Sequence, residues 1–402
     1  MSTEPATKTS LPLALFIAVI LYASLPHITT DIYLPSLPAI AEALASTATA
    51  VKLTITSFML GFGIAHLIYG PISDRIGRRK PILFGIGLST LGTFLCLYAP
   101  TISVLIMGRF LQGVGVAACN SVGRSLMRDL LSGVHFAKIS SHLGMTMILV
   151  IATAPTLGGY IQYYFNWQTV FIVLLGYTIF VWLFSWKALP ETHLAVDPHA
   201  TQLKTVLHNY RMLLAHPIFM GYTLCVSLAY AGIVAYITCS PFLFQSVIGQ
   251  SATQFGWLAF VTGFAIFLSF YINGKIVLQH GIEKMILAGI FLMLGSGILM
   301  LLLGLYWVNT FVILLPATLF FIGVGFTFAN ATAGAFQPFP HMAGATGGLF
   351  GCLQILGGAL SSFGIAFLPH TNQIPLAIVF IGLNILALLC FFVCIHRSRL
   401  TV

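Results

Sequence analysis

Charged residues are scarce in this chain of 402 residues, where Asp, Glu, Lys and Arg together make up only 6% of the sequence. A water-soluble protein of this length needs far more polar surface to cover its core. The hydrophobic content reaches 58%. The shortage of charge therefore excludes a soluble globular protein and indicates an integral membrane protein.

Acidic residues are the rarest charged type, with 8 Asp and Glu against 17 Lys and Arg, and the formal net charge is +9. The excess cations are spread along the chain and form no basic domain that could dock on a duplex, so we expect no nucleic-acid partner. The 7 cysteines all fall in apolar runs, and no C-x-x-C or H-x-x-x-H pair occurs. We therefore expect no disulfide framework, no metal site and no cofactor.

Apolar stretches long enough to cross a bilayer, about 20 residues each, follow one another along the whole chain. We predict twelve spans: Leu11–Pro38, Leu53–Ile72, Ile82–Tyr98, Val104–Arg124, Ile139–Tyr160, Val170–Trp186, Ile218–Phe244, Trp257–Val277, Met285–Tyr306, Val312–Thr332, Gly348–Phe367 and Pro375–Ile395. The longest polar connection separates the sixth span from the seventh. It divides the chain into an N-terminal bundle (1–188), a linker (189–216) and a C-terminal bundle (217–402).

Lys and Arg residues are distributed unevenly over the loops. All except Lys52 and Arg109 fall at the loops or ends of one face. The positive-inside rule assigns this face to the cytoplasm. An even number of spans puts both termini on the same side, so we expect both in the cytoplasm.

The loop between the second and third predicted spans reads Gly70-Pro71-Ile72-Ser73-Asp74-Arg75-Ile76-Gly77-Arg78-Arg79-Lys80. It resembles, at every defined position, the G-x-x-x-D-R-x-G-R-[KR]-[KR] loop of the major facilitator superfamily. The resemblance implies an all-α integral membrane protein of twelve transmembrane helices in two six-helix bundles, and we expect a monomer. It also implies a cytoplasmic gate formed by Gly70, Asp74, Arg75, Gly77, Arg78 and Arg79. A weaker repeat, Gly274 and Gly281 after the eighth span, keeps the spacing of Gly70 and Gly77 and favours two related halves.

Asp31 is the one acidic residue deep inside a predicted span. A charge near the bilayer centre costs about 2.5–3.5 kcal/mol, so such a residue usually faces a cavity or a partner. His27 lies one helical turn away on the same stripe. Pro35 removes the helical partner of the Asp31 carbonyl and predicts a kink beside the carboxylate. We interpret Asp31 as a proton or substrate site, the alternative being a helix-end residue near the outer surface.

Arg109 is the one cation inside a predicted span. Its surroundings, from Leu105 to Ala118, resemble the fourth-helix pattern L-x-x-x-R-x-x-Q-G-x-G-x-A-A of the superfamily, which is tied to proton coupling. The resemblance implies that Arg109 and Gln112 tune the proton affinity of Asp31. A purely structural ion pair between Asp31 and Arg109 is the alternative.

Pro155, Gly158 and Gly159 in the fifth predicted span resemble the core of the antiporter motif G-x-x-x-G-P-x-x-G-G, although Val150 and Ala154 replace its first two glycines. Together with the segment Thr30–Pro38, they make the chain similar to the Bcr/CflA branch of drug:proton antiporters. Further polar and aromatic residues are candidates to line a substrate cavity: Asn120, Tyr222, Tyr230, Tyr236, Asn330 and Gln354.

The leading hypothesis from the sequence is a proton-coupled antiporter that exports drugs or amphipathic small molecules across a bacterial cytoplasmic (inner) membrane. The alternatives are a dedicated exporter of a metabolite such as a siderophore, and a proton-coupled uptake symporter. An enzyme is disfavoured, because Gly87–Leu91 lacks the last glycine of a nucleophile elbow and no carboxylate pair lies inside the spans.

The charge distribution predicts the result of a reporter experiment. A reporter fused after Ser398 should be active in the cytoplasm, and one inserted near Ser46 or Pro100 should be active outside, because the cations hold the other face inward. Paired alkaline phosphatase and fluorescent-protein fusions measure this directly. The reverse result at either site would overturn the predicted order of the spans.

Overall fold

The fold is built entirely of helices in the segments that the computed structural model describes, residues 12–130, 133–192, 202–339 and 342–396. In chain order they are α1 (Leu13–Asp31), α2 (Leu37–Ala43), α3 (Ala48–Ile76), α4 (Arg79–Leu97), α5 (Ile102–Leu130), α6 (Gly133–Tyr164), α7 (Trp167–Ala188), α8 (Leu203–Ala215), α9 (Pro217–Pro241), α10 (Ala252–His280), α11 (Ile282–Gly304), α12 (Thr310–Phe336), α13 (Ala343–Ala366) and α14 (Ile374–Cys390). A 3-10 turn, Leu34–Ser36, joins α1 to α2. Short π-helical turns, Phe242–Val247 and Phe391–His396, extend α9 and α14.

Eleven helical segments of the described chain are long and apolar enough to cross a membrane. The first, Leu13–Ala43, combines α1 with α2, and Pro217–Val247 combines α9 with its π-helical turn. Helix α6 contains the predicted span Ile139–Tyr160 and extends beyond it at both ends, and its 32 residues correspond to a length of about 48 Å. The helices thus form a multi-pass membrane protein, as the composition predicts.

Successive long helices run between two faces of the molecule. We call the face with the turn at Gly77 and Gly281 the basic face, and the face with the connections 44–47, 165–166, 248–251 and 305–309 the opposite face. Four helices start at the opposite face with a capping side chain that accepts a hydrogen bond from the backbone N–H three residues further on: Thr47, Asn166, Ser251 and Asn309. These caps satisfy N–H groups that a helix cannot satisfy itself.

Gly77 and Gly281 form the same sharp turn in the two halves of the sequence. Their φ angles are +92° and +80°, in the left-handed region that glycine tolerates best. Gly77 ends α3 shortly before α4 begins, and Gly281 ends α10 directly before α11. The glycine repeat seen in the sequence therefore has a structural counterpart.

Helix packing relies on small residues where backbones approach closely. Helix α5 lies at the centre of the first half, against α1, α3 and α4, and α12 is in contact with α9, α10 and α11 in the second half. The main contacts between the halves are α3 with α13 and α6 with α10. At the crossing of α3 and α5, a Cβ on Gly113 would lie 2.0 Å from the Phe58 carbonyl oxygen, so only glycine fits there.

Helix α8 lies inside the segment 189–216 that the sequence analysis treats only as a linker. Leu213 is buried, and the half-buried Val206 and Tyr210 fall on the same face, so the helix is amphipathic. The Tyr210 hydroxyl donates to the Leu67 carbonyl oxygen of α3 at 3.2 Å, while α8 also packs against α9 and α13. Burial raises the pKa of Tyr210 to about 12. The linker thus contacts both halves at the basic face.

Gly113→Leu should destabilise the protein by about 1–3 kcal/mol or more, because the new side chain would force α3 and α5 apart. Thermal unfolding of the purified protein in detergent measures the change. Gly176→Leu is the matched control, since no atom lies within 4 Å of a Cβ placed on Gly176. Equal melting temperatures for the two variants would contradict the close crossing.

Candidate functional site

Helix α1 is interrupted in the middle of its membrane segment. The α-helix ends at Asp31, the 3-10 turn follows, and α2 continues to Ala43. The predicted kink at Pro35 is therefore present. Twelve residues, or about 18 Å of helix, separate Asp31 from Ala43, the last residue of this candidate span.

The Asp31 side chain faces a cavity between the two halves of the chain. This central cavity has a volume of about 130 Å³ and is lined mainly by apolar side chains from α1, α6, α9, α10 and α12. Its polar groups include His27, Thr30, Tyr230, Tyr236 and Thr262. Asp31 is 9% exposed, and its carboxylate makes no hydrogen bond or ion pair with any residue that the structure describes.

Arg109 is completely buried and bonds to groups other than Asp31. Its Nη1 donates to the Thr29 carbonyl oxygen at 2.9 Å and to Gln112 Oε1 at 2.7 Å. The guanidinium carbon lies 4.1 Å from the ring centre of Tyr33 and 4.4 Å from that of Phe58. The two rings partly replace water around the cation. Within the described segments there is no Asp31–Arg109 ion pair, so a structural ion pair does not account for these residues.

Gln112 holds Arg109 in place through a second contact. Its amide Nε2 donates to Thr93 Oγ1 on α4 at 2.8 Å, which leaves Oε1 directed at the guanidinium. The chain Thr93–Gln112–Arg109–Thr29 thus connects α4, α5 and the last turn of α1. Because Thr29 is two residues before Asp31, this network helps to hold the backbone that carries the carboxylate.

The glycines of α6 bring three helices together on the opposite-face side of the central cavity. A Cβ on Gly158 would lie 1.8 Å from the Ile32 carbonyl oxygen, and one on Gly159 would lie 2.4 Å from the Ala252 carbonyl oxygen. Thr156 Oγ1 donates to the Gly256 carbonyl oxygen at 2.9 Å. Helix α6 is therefore wedged between the break of α1 and the start of α10, with Pro155 on the cavity wall.

Other contacts between the halves close the opposite face. Gln245 Nε2 donates to the Pro35 carbonyl oxygen at 3.0 Å, and Thr56 Oγ1 donates to Ser362 Oγ at 2.9 Å. Lys52 is completely buried there, with its ammonium 5.5 Å from the ring centre of Phe242. That ammonium has no hydrogen-bond partner in the described part of the chain.

A cluster of charges organises the basic face of the first half. Arg78 donates to Asp74 on α3, to Ser73 Oγ at 2.7 Å and, through Nε, to Asp129 at the end of α5 at 3.0 Å. The ion pair of Asp74 is thus with the buried Arg78, whereas the neighbouring Arg75 is exposed. Burial alone would lower the pKa of Arg78, but the bonds to Asp129 and Asp74 raise it above its ordinary value.

Glu191 completes this cluster and was missed by sequence reasoning. Its carboxylate accepts hydrogen bonds from the backbone N–H of Arg78 at 2.7 Å and of Arg79 at 3.2 Å, at the start of α4. An anion there complements the partial positive charge of the helix N-terminus. A Cβ on Gly77 would collide with Glu191 Oε2. The only sequence signal was an acidic residue five positions after the end of the sixth predicted span.

The remaining predicted site residues fall into two groups. Tyr230 and Tyr236 line the central cavity with His27 and Asp31. Asn120 lies elsewhere, in a cavity of about 420 Å³ between α1, α5 and α6 that we call the α5–α6 cavity; its lining consists of Val19, Tyr22, Ala23, His27, Cys119, Asn120, Gly123, Arg124, Met127, Leu143, Gly144 and Met147.

Three predicted lining residues of the second half lie away from the central cavity. Tyr222 is completely buried, with its ring against Gly334. Asn330 Nδ2 donates to Asn273 Oδ1 at 2.6 Å between α12 and α10. Gln354 is half-buried on α13 and contributes nothing to the lining of that cavity. Tyr222 and Asn330 therefore make contacts between helices and do not line that cavity.

Comparison with known sequences places the chain in a large group of membrane transporters. The family profile described as Major Facilitator Superfamily matches residues 15–362. Multidrug resistance protein D of Escherichia coli is 31% identical over 378 residues, covering 94% of each chain. The bicyclomycin resistance protein homolog of Haemophilus influenzae is 25% identical over 375 residues, covering 93% of this chain and 94% of the relative.

Solved structures show the same fold at low sequence identity. The xylose transporter XylE of Escherichia coli, in a partially occluded inward open conformation, superposes with a TM-score of 0.74 at 12% identity. The matched region covers 94% of this chain and 96% of that structure. This likeness concerns the path of the helices alone.

Arg78→Ala should destabilise the protein by about 1–3 kcal/mol, because it leaves two carboxylates, Asp74 and Asp129, without their shared partner. Thermal unfolding of the purified protein measures the loss. Lys80→Ala is the matched control, since Lys80 is exposed in the same loop. If Lys80→Ala destabilises the protein as much as Arg78→Ala, the loss reflects loop charge in general and not this cluster.

Proposed function

The chain belongs to the Major Facilitator Superfamily, and from this premise we propose that it is a proton-coupled antiporter exporting amphipathic small molecules. It is a transporter and not an enzyme, as its family shows. The relatives named for resistance to several drugs, to bicyclomycin and to chloramphenicol support drugs as substrates. Their bacterial sources support the inner membrane as its location.

We propose the full architecture on the same basis. Twelve spans form two six-helix bundles, residues 1–188 and 217–402, joined by the linker 189–216. Helix α6 would be the twelfth span, in addition to the eleven candidates. The matching turns at Gly77 and Gly281 support a repeat of two halves. The basic face is the cytoplasmic face, and both termini lie there.

The observation that carries the proposal is the unpartnered carboxyl of Asp31 in a small cavity between the two halves. A carboxylate in an apolar environment is costly, and either a proton or a cationic group removes that cost. Proton and substrate can therefore compete for Asp31, which is the minimum requirement for exchange. The polar lining groups Thr30, Tyr230 and Tyr236 add hydrogen bonds for neutral substrates, while the many apolar side chains accept varied shapes.

Arg109 would act on Asp31 without a direct bond. Its network with Gln112 and Thr29 sets the position of the last turn of α1, and its charge stabilises the carboxylate at a distance. A change in that distance between the two conformations would change how firmly Asp31 holds its proton. One proton moving inward across 100 mV supplies about 2.3 kcal/mol, enough for a roughly fifty-fold outward gradient of a neutral substrate.

The cluster at the basic face would be the cytoplasmic gate, with Gly70, Asp74, Arg75, Gly77, Arg78 and Arg79 as its loop. A small cavity of about 40 Å³ lies between Asp74 and the start of α13, at Gly344 and Gly347. The loop therefore adjoins the second half where the two halves must separate to open this face. Asp129 keeps the loop attached to the first half during that separation, and Glu191 attaches it to the start of the linker.

Asp31→Asn should abolish proton-coupled export of neutral substrates while leaving their binding intact, because the amide keeps the shape of the side chain but carries no proton. Everted vesicles with an acidified lumen and a fluorescent pH probe measure this, with chloramphenicol as the first substrate of a drug panel. Addition of substrate should partly collapse the pH gradient with the unmodified protein. The response of Asp31→Asn should equal that of vesicles without the transporter.

Glu42→Gln is the matched control, because Glu42 is an exposed carboxylate on α2 and should not affect the response. A full response from Asp31→Asn would mean that the proton uses another group. A deepening of the pH gradient on substrate addition, or substrate accumulation driven in the inward direction in whole cells, would instead indicate a symporter.

A further inference from the structure

We propose that His27 is the proton relay between Asp31 and the basic face. The inference rests on the proposed function, in which Asp31 exchanges protons, and adds the route by which they move. His27 lies four residues before Asp31 on α1, so the two side chains are neighbours on one stripe of the helix. A proton can therefore pass between them over a short distance within the central cavity.

His27 stands between two cavities. It lines the central cavity together with Asp31, and it also lines the α5–α6 cavity. Among the described residues that form these two linings, it is the one common to both. An imidazole in such a position can accept a proton at one ring nitrogen and release the other ring nitrogen's proton on the far side.

The route toward the opposite face is closed in this conformation. Gly158 packs on the Ile32 carbonyl next to Asp31, and Gln245 bonds to the Pro35 carbonyl beyond it. Helix α6 is pressed against α10 at Gly159 and Gly256. A proton that leaves Asp31 in this state must therefore move toward the basic face.

The α5–α6 cavity provides the continuation. It extends along α1 from His27 to Val19, about 12 Å toward the basic face. Its volume of about 420 Å³ holds several water molecules. The walls offer polar groups for such water, namely Asn120, Arg124 and the Tyr22 hydroxyl, which is buried and has no partner among the described residues.

The groups around His27 disfavour a ring that stays protonated, so the ring transfers a proton and does not retain it. The titratable and charged groups that share a cavity lining with it are Asp31 and Tyr22 on α1, Arg124 and Cys119 on α5, and Tyr230 and Tyr236 on α9. The described side chains of α6 in the two linings are uncharged. The Arg124 guanidinium lines the same cavity as His27, and like charges repel, so a positive charge on the ring is disfavoured there.

The transfer balances without any further reactant. The O–H bond of the protonated Asp31 breaks as an N–H bond forms on His27, and the proton on the other ring nitrogen passes to water in the α5–α6 cavity. Asp31 is left as a carboxylate, and the neutral imidazole regains its first tautomer by proton exchange with water. The same steps in reverse protonate Asp31 from the basic face.

The test is the rate at which Asp31 exchanges its proton, measured on the purified full-length protein without any substrate. Photolysis of a caged proton lowers the pH, and time-resolved infrared absorption follows the C=O band of the protonated carboxyl, assigned by its loss in Asp31→Asn. His27→Gln should lower the rate at which this band appears by roughly a hundredfold, which is the effect expected when an acid–base group is lost. Its final amplitude should be unchanged. His280→Gln, an exposed histidine at the end of α10, is the control and should keep the original rate.

Chemical rescue separates a relay from a structural role. In His27→Ala, added imidazole should enter the α5–α6 cavity and restore most of the rate, with a dependence on pH that follows the neutral fraction of imidazole. An unchanged rate in His27→Gln, or a slow His27→Ala that imidazole does not restore, would overturn the relay. Absence of any carboxyl band assigned to Asp31 in the unmodified protein would instead refute the proposed role of Asp31 itself.

Discussion

The break in α1 is the constraint around which the first half is organised. Inside a membrane no water is available for backbone groups, so a helix cannot be interrupted unless other groups meet its free carbonyls. Other elements contact three backbone carbonyls around this break. Arg109 and Gln245 donate hydrogen bonds to the carbonyls of Thr29 and Pro35, and Gly158 packs closely on that of Ile32. The elements that hold the break are thus also those that surround Asp31.

This arrangement explains why several separate motifs occur together in one chain. Arg109, Gly158 and Gln245 are far apart in sequence. Each of them nevertheless contacts the same short stretch of chain, from Thr29 to Pro35. Two of these contacts stay within the first half, while Gln245 belongs to the second. Separation of the halves at the opposite face would therefore remove the Gln245 contact with α1. The contacts of Arg109 and Gly158 with α1 would stay in place.

Much of the fold could be predicted from the sequence, because apolar length and glycine turns are local signals. The break in α1 was predicted from Pro35. Asp31 was identified as a candidate because acidic residues are rare inside the apolar spans. The partner of Arg109 could not be predicted, since it is a carbonyl with no signature in the side-chain pattern. The same holds for Glu191, which acts at a helix N-terminus more than a hundred residues earlier. The linker helix α8 was overlooked because its apolar face is short, and the packing of Tyr222 and Asn330 depends on neighbours that periodicity alone does not identify.

Lys52 gives the closed opposite face an energetic character of its own. An ammonium without a partner is dehydrated there against an aromatic ring, and it would recover its water as soon as that face opened. The many apolar contacts between the halves oppose this recovery. The dehydrated charge therefore destabilises the closed arrangement of this face. It reduces the difference in free energy between the closed conformation and one in which this face is open. A transporter balanced in this way needs only a modest input from proton or substrate to change its state.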